Sequence, residues 1–153
     1  MKYVLILFIC FTLHQKASAQ AQGVPDTLAY VKSIVANKAN YIGKPFSVLK
    51  NDLQIAIKYF LPFGNVHYDM WREDVTMFSF YFSTSMDDYY ISYPFLMISW
   101  RPQYLNRRVS DALWRTNRGA WTTAAANLYN NAIAGDMYVL EEIIRGQGAN
   151  LTI

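Results

Sequence analysis

Five arginines, Arg101, Arg107, Arg108, Arg115 and Arg118, fall within residues 101–118, a stretch that contains one acid, Asp111. They are interleaved with Trp100, Tyr104, Trp114 and, just beyond, Trp121. A guanidinium is planar and always charged. It pairs with carboxylates and phosphates through parallel N–H bonds and stacks on aromatic faces, so this composition suits a protein surface or an anionic or glycan ligand. It equally suits a loop that packs its tryptophans inward while the arginines are solvated or pair with Glu73, Asp74, Glu141 and Glu142. These nine arginine and aromatic residues are the candidate partner contacts.

A second stretch, "VHYDMWRED" at 66–74, holds His67, the one histidine beyond the first nineteen residues. On an extended backbone His67 and Asp69 point to the same side, and Glu73 or Asp74 returning in a turn would complete an oxygen-rich metal site. That spacing is permissive, and a surface histidine among charged loop residues satisfies it as well. No Gly-x-Ser-x-Gly surrounds a serine. "IGKPFS" lacks the first glycine of a phosphate loop and places Pro45 where the magnesium-binding hydroxyl belongs. Asp87-Asp88 alone supplies too few oxygens for calcium. Asn150-Leu151-Thr152 matches a glycosylation triplet, which matters only in a eukaryotic secretory pathway. The sequence therefore assigns no catalytic residue, no metal ligand and no cofactor. It points to a non-catalytic binding module, with a carboxylate-based hydrolase of envelope glycans, built on Asp69, Glu73 and Asp74, as the alternative.

The compartment follows from the first nineteen residues. Lys2 precedes the apolar run Tyr3 to Leu13, and Ala17-Ser18-Ala19 supplies a small-x-small cleavage pattern, so residues 1–19 are expected to be a signal peptide cleaved before Gln20. The run is too short to remain as a membrane anchor. Cys10 lies inside it rather than at its end, which disfavours lipidation. A secreted or periplasmic chain without cysteine is expected to remain, folding as a single domain over 20–153. Removal of Lys2 and Lys16 from the fourteen basic residues leaves twelve against eleven acids, a balance that does not suit nucleic acid.

The elements that must position these residues are read from periodicity. Asp26 or Thr27 caps a helix through Leu28, Val31, Ile34, Val35 and Lys38; Gly43 closes it, and Pro45 opens a second helix with Phe46, Leu49 and Leu53. From Leu53 to Leu61 the period becomes two, a strand ended by Pro62 and Gly64. "MFSFYFSTSMDDYYISYPFLMISW" at 77–100 reads as a hairpin, Val75 to Ser83 and Tyr89 to Trp100 around an acidic loop, because two aspartates at its centre forbid a membrane helix. Phe78, Phe80 and Phe82 share a face that packs on helices, and the stretch after Pro94 is apolar on both faces. Residues 101–120 read as loop with one short helical turn. A helix over 121–131 places Trp121, Ala125, Leu128 and Ala132 on one face. Residues 133–145 are open to helix or strand, the strand favoured by Met-Tyr-Val-Leu after Gly135-Asp136. The expected fold is α+β: an N-terminal helical hairpin and a later helix on an antiparallel sheet of about four strands.

The order of signal peptide, helical "IGKPFSVL", aromatic strands and a closing AxxLYxxxIxxDxYV stretch at 125–139 resembles small secreted proteins of Gram-negative bacteria, a group that carries no assigned activity. In topology, the helix–helix–three-strand order is similar to modules of outer-membrane assembly lipoproteins and to β-lactamase inhibitory proteins. That resemblance implies function through protein contact, although the lipid-bearing cysteine of the former is missing here.

Overall fold

A computed structural model describes residues 26–64, 69–81 and 94–140. The fold is α+β, with four α-helices and a five-stranded antiparallel sheet among the described residues. Helix α1 spans Thr27–Ala36 and begins at Asp26, whose carboxylate accepts the Ala29 amide at 3.0 Å, satisfying a free donor of the first turn. It stops earlier than the periodicity implies: Asn37 caps it, and Lys38–Asn40 form a separate 3-10 turn before Gly43. Helix α2 spans Phe46–Asp52, just after Pro45.

Strand β1 spans Tyr59–Gly64 rather than 53–61. The alternation seen from Leu53 is real in burial, since Ile55, Ile57 and Tyr59 are buried while Gln54, Ala56 and Lys58 are exposed, but ladder pairing begins only at its end. Pro62 does not end the strand. It pairs opposite Thr76 within it, which is tolerable because β1 is an edge strand. Strand β2 spans Arg72–Ser79 and β3 spans Phe95–Ser99. Two-residue β4, Leu105–Asn106, pairs with the start of β2. Helix α3 then runs from Arg107 to Asn117, where sequence predicted a loop with one helical turn. Helix α4 spans Thr123–Tyr129, capped by the Thr122 hydroxyl, and β5 spans Asp136–Leu140. The ambiguous segment is thus a strand over 136–140. Phe82, the acidic loop with Asp87 and Asp88, and residues 1–25 and 141–153 lie outside the described residues.

The sheet order is β1-β2-β3-β5, with β4 beside β2. Register places Phe60, Phe78, Leu96 and Val139 in one row across the sheet, and Leu61, Met77, Met97 and Tyr138 in the row on the opposite face. The first row meets the helices. Phe60, Phe78 and Leu96 are wholly buried with Val31 of α1, Phe46 and Leu49 of α2, and Ala125 and Tyr129 of α4. Each large apolar group enclosed this way contributes about 2 kcal/mol. Phe46 stacks on Phe78 at 4.8 Å between centroids, and the rings of Trp100 and Trp121 lie stacked beside Tyr129 at 5.6 and 5.9 Å. The second face has a smaller cluster, Tyr59, Met77 and Phe95, onto which Trp114 of α3 packs. Strand β3, central and bounded by β2 and β5, is buried through Leu96 and Ile98 on one face and Phe95 on the other, which explains its apolar sequence on both sides.

Candidate functional site

Where β4 joins the start of β2, two short stretches of chain, 69–73 and 104–108, converge. Asp69 accepts the Trp71 amide at 2.9 Å, folding a turn that delivers Arg72 into β2. Arg72 pairs with Asn106 and Glu73 with Leu105. The Arg107 amide then donates to the Trp71 carbonyl at 2.9 Å, and the Asn106 side chain caps α3 by accepting from Arg108 at 3.1 Å. Asp69, Trp71, Arg72, Tyr104, Leu105, Asn106 and Arg108 line the resulting cleft, a shallow depression of about 540 Å³ that lies wide open to solvent.

Inside it each aromatic ring carries a guanidinium. The Arg72 Cζ stands 3.5 Å from the Tyr104 ring centroid and the Arg108 Cζ 4.1 Å from that of Trp71. Ion pairs account for Arg101, 3.3 Å from Asp74, and for Arg107, 3.6 Å from Asp111. No such pair involves Arg72 or Arg108 among the described residues. The first turn of α3 carries Arg107 and Arg108 and no acid, although free amide dipoles there already make the potential positive.

Beneath the cleft, Glu73 is completely enclosed. Its Oε1 accepts from the Tyr129 hydroxyl at 2.8 Å and from the Thr76 hydroxyl, while Oε2 has no partner. Thr76 in turn accepts from the Trp100 indole at 2.7 Å. Burial pushes the Glu73 pKa up to about 7 against the opposing pull of the Ser110, Thr76 and Tyr129 hydroxyls, with Asp111 adding to the rise. Tyr129 is driven well above its ordinary value by burial and by the neighbouring carboxylate.

The nine contacts predicted from sequence divide into three groups. Tyr104 and Arg108 line the cleft. Arg101, Arg115 and Arg118 are exposed elsewhere, Arg115 in the last turn of α3, where a cation suits the dipole, and Arg118 as its left-handed cap. Trp100 is corrected outright: it has no accessible surface and belongs to the core. Trp114 donates to the Tyr59 hydroxyl at 2.8 Å and Trp121 packs against Phe60, so both serve the interior, while Arg107 is half-buried near Asp111. Trp71 and Arg72 complete the cleft and were missed because they lie some thirty residues away in sequence. Their signal was the pairing of an exposed tryptophan and an arginine in "MWRED". His67 lies outside the described residues, and among those described no group of three His, Cys, Asp or Glu side chains converges. Comparison with protein-family models, with curated proteins and with solved structures finds no match.

Proposed function

We propose that this chain is a secreted or periplasmic binding module whose contact surface is the Trp71–Arg72–Tyr104–Arg108 cleft. The observation that carries this reading is the concentration of exposed apolar side chains there. Of the six exposed large hydrophobic residues among those described, Val48, Met70, Trp71, Tyr104, Val109 and Tyr138, four line the cleft or adjoin its residues in sequence. Exposed Trp, Tyr and Arg around a depression form the composition of a binding hot spot. Glycoside hydrolysis asks for two carboxyl groups about 5–10 Å apart facing a groove. Here the lining includes one, Asp69, and neighbouring Glu73 touches no solvent. The compartment rests on residues 1–19, read as a signal peptide.

Photo-crosslinking tests the surface in the producing cell. A benzophenone amino acid placed at Tyr104 or Val109 is expected to give adducts, whereas the same group at exposed Thr123 or Asn127 of α4 gives none. Equal labelling from both sets, or none from either, would remove the cleft as the contact surface. The intact mass of the recovered protein, expected to begin at Gln20, checks the compartment in the same preparation.

A further inference from the structure

We infer that the cleft takes an acidic segment of a partner protein, presenting two carboxylates to Arg72 and Arg108 and an apolar side chain to Met70 and Val109. This rests on the binding reading above and adds the chemistry of the ligand. Two cations without an acidic partner among the described residues share one depression, and one of them stands at a helix start where positive charge is already unfavourable. An anion relieves that local conflict. Such departures from electrostatic rule are where function is expected.

The geometry selects among anions. Each guanidinium lies over a ring, which restricts its rotamers and leaves its N–H edge available, so a planar carboxylate can be met bidentately with little further ordering. Sugar recognition by stacking needs an open ring face, and the guanidiniums already cover one face of both Tyr104 and Trp71. An anionic lipid surface calls for a cluster of some four to eight cations. The cleft offers two and includes Asp69, which opposes a dense polyanion. Met70 and Val109, 52% and 44% exposed, adjoin the lining residues Trp71 and Arg108 in sequence and offer apolar surface that a protein segment can cover.

Isothermal titration of the purified full protein supplies the test. A Glu-Leu-Glu peptide flanked by Gly-Ser is compared with its Gln-Leu-Gln counterpart, with an oligogalacturonate and with phosphatidylglycerol vesicles. The glutamate peptide is expected to bind, to weaken with added salt, and to exceed the glutamine peptide by about tenfold or more, the scale of a lost charge-assisted pair. Arg72→Gln with Arg108→Gln should weaken it by a similar factor, while Arg115→Gln with Lys44→Gln, an equal loss of charge, leaves it within about twofold. Arg72→Lys with Arg108→Lys keeps the charge but not the planar fork and is also expected to weaken binding. Thermal melts confirm that each variant is folded. Equal binding of the glutamine peptide, undiminished binding by the lysine variant, or tighter binding of the uronate or the vesicles overturns the assignment. If the glutamate peptide fails while Tyr104 and Val109 still crosslink, the ligand class is wrong and the surface stands; if crosslinking fails too, both fall.

Discussion

Among the described residues Glu73 is a buried carboxyl group without a cation, held in the interior by hydroxyls. The unfolded chain ionises it near 4.5 and the folded chain at about 7, so between those values unfolding releases a proton. Its contribution to stability is complete below pH 4.5, declines as pH rises toward 7, and is flat above. At about 1.4 kcal/mol per pH unit the decline amounts to about 3 kcal/mol. Asp136, held low by Lys38, acts in the opposite sense at lower pH, but the pair is about half exposed and solvent screening keeps its effect small. Chemical denaturation across this range should therefore show falling stability in the parent and little slope in Glu73→Gln, which becomes the more stable protein above pH 7. Tyr129→Phe removes a donor to Oε1, extends the declining range upward and costs about 1–3 kcal/mol once the carboxylate is charged. A slope unchanged by Glu73→Gln would mean another group titrates. None of this was legible in the sequence, where "RED" reads as solvated loop; only the pairing of β2 with β4 and the closure of α3 and α4 over it enclose Glu73.

Helix α3 shows why a real element can escape a periodicity reading. Its inward stripe, Ser110, Leu113, Trp114 and Asn117, is half polar and its arginines make the segment polar on average, which hides the helical spacing of Val109, Ala112 and Leu113. Ser110 is nevertheless fully buried and Asn117 donates to the Leu113 carbonyl at 2.9 Å. The boundaries were readable in principle, from the Asn106 cap and from Gly119 beyond the end. Gly119 has φ +76°, and a Cβ there would meet the Tyr59 ring at 2.0 Å; Gly43 has the same φ with nothing within 4 Å. Gly43→Ala should thus cost only the left-handed strain, about 1 kcal/mol, whereas Gly119→Ala adds overpacking for a total of about 3 kcal/mol. Thermal denaturation of the two variants separates these contributions; equal losses would mean that Tyr59 yields freely and that α3 is not fixed against β1 through this contact.

At the scale of the whole molecule, the fold class was legible because the hydrophobic periods of α1, α2 and α4 and of β2 and β3 agree with helices packed on one sheet face. The cleft was not, since it depends on Arg72 meeting Asn106 across a short non-local ladder, and no local pattern encodes that meeting. Edge strand β1 has a further property at this scale. The outward amide of Phe60 is taken by the Gly119 carbonyl at 2.9 Å, and Pro62, two residues on, stands where the next outward amide would be and has none to offer. One half of this border is occupied, and the other is covered at Pro62 and offers no donor there. Neighbouring molecules are thereby denied a template for strand addition, the first step toward fibrils. Pro62→Val restores a donor and raises β propensity at the same place. Because Pro62 is buried, the new donor should lower the monomer's melting temperature modestly and promote time-dependent thioflavin fluorescence at high protein concentration, and a variant that stays as clear as the parent would show that the occupied half of the border is protection enough.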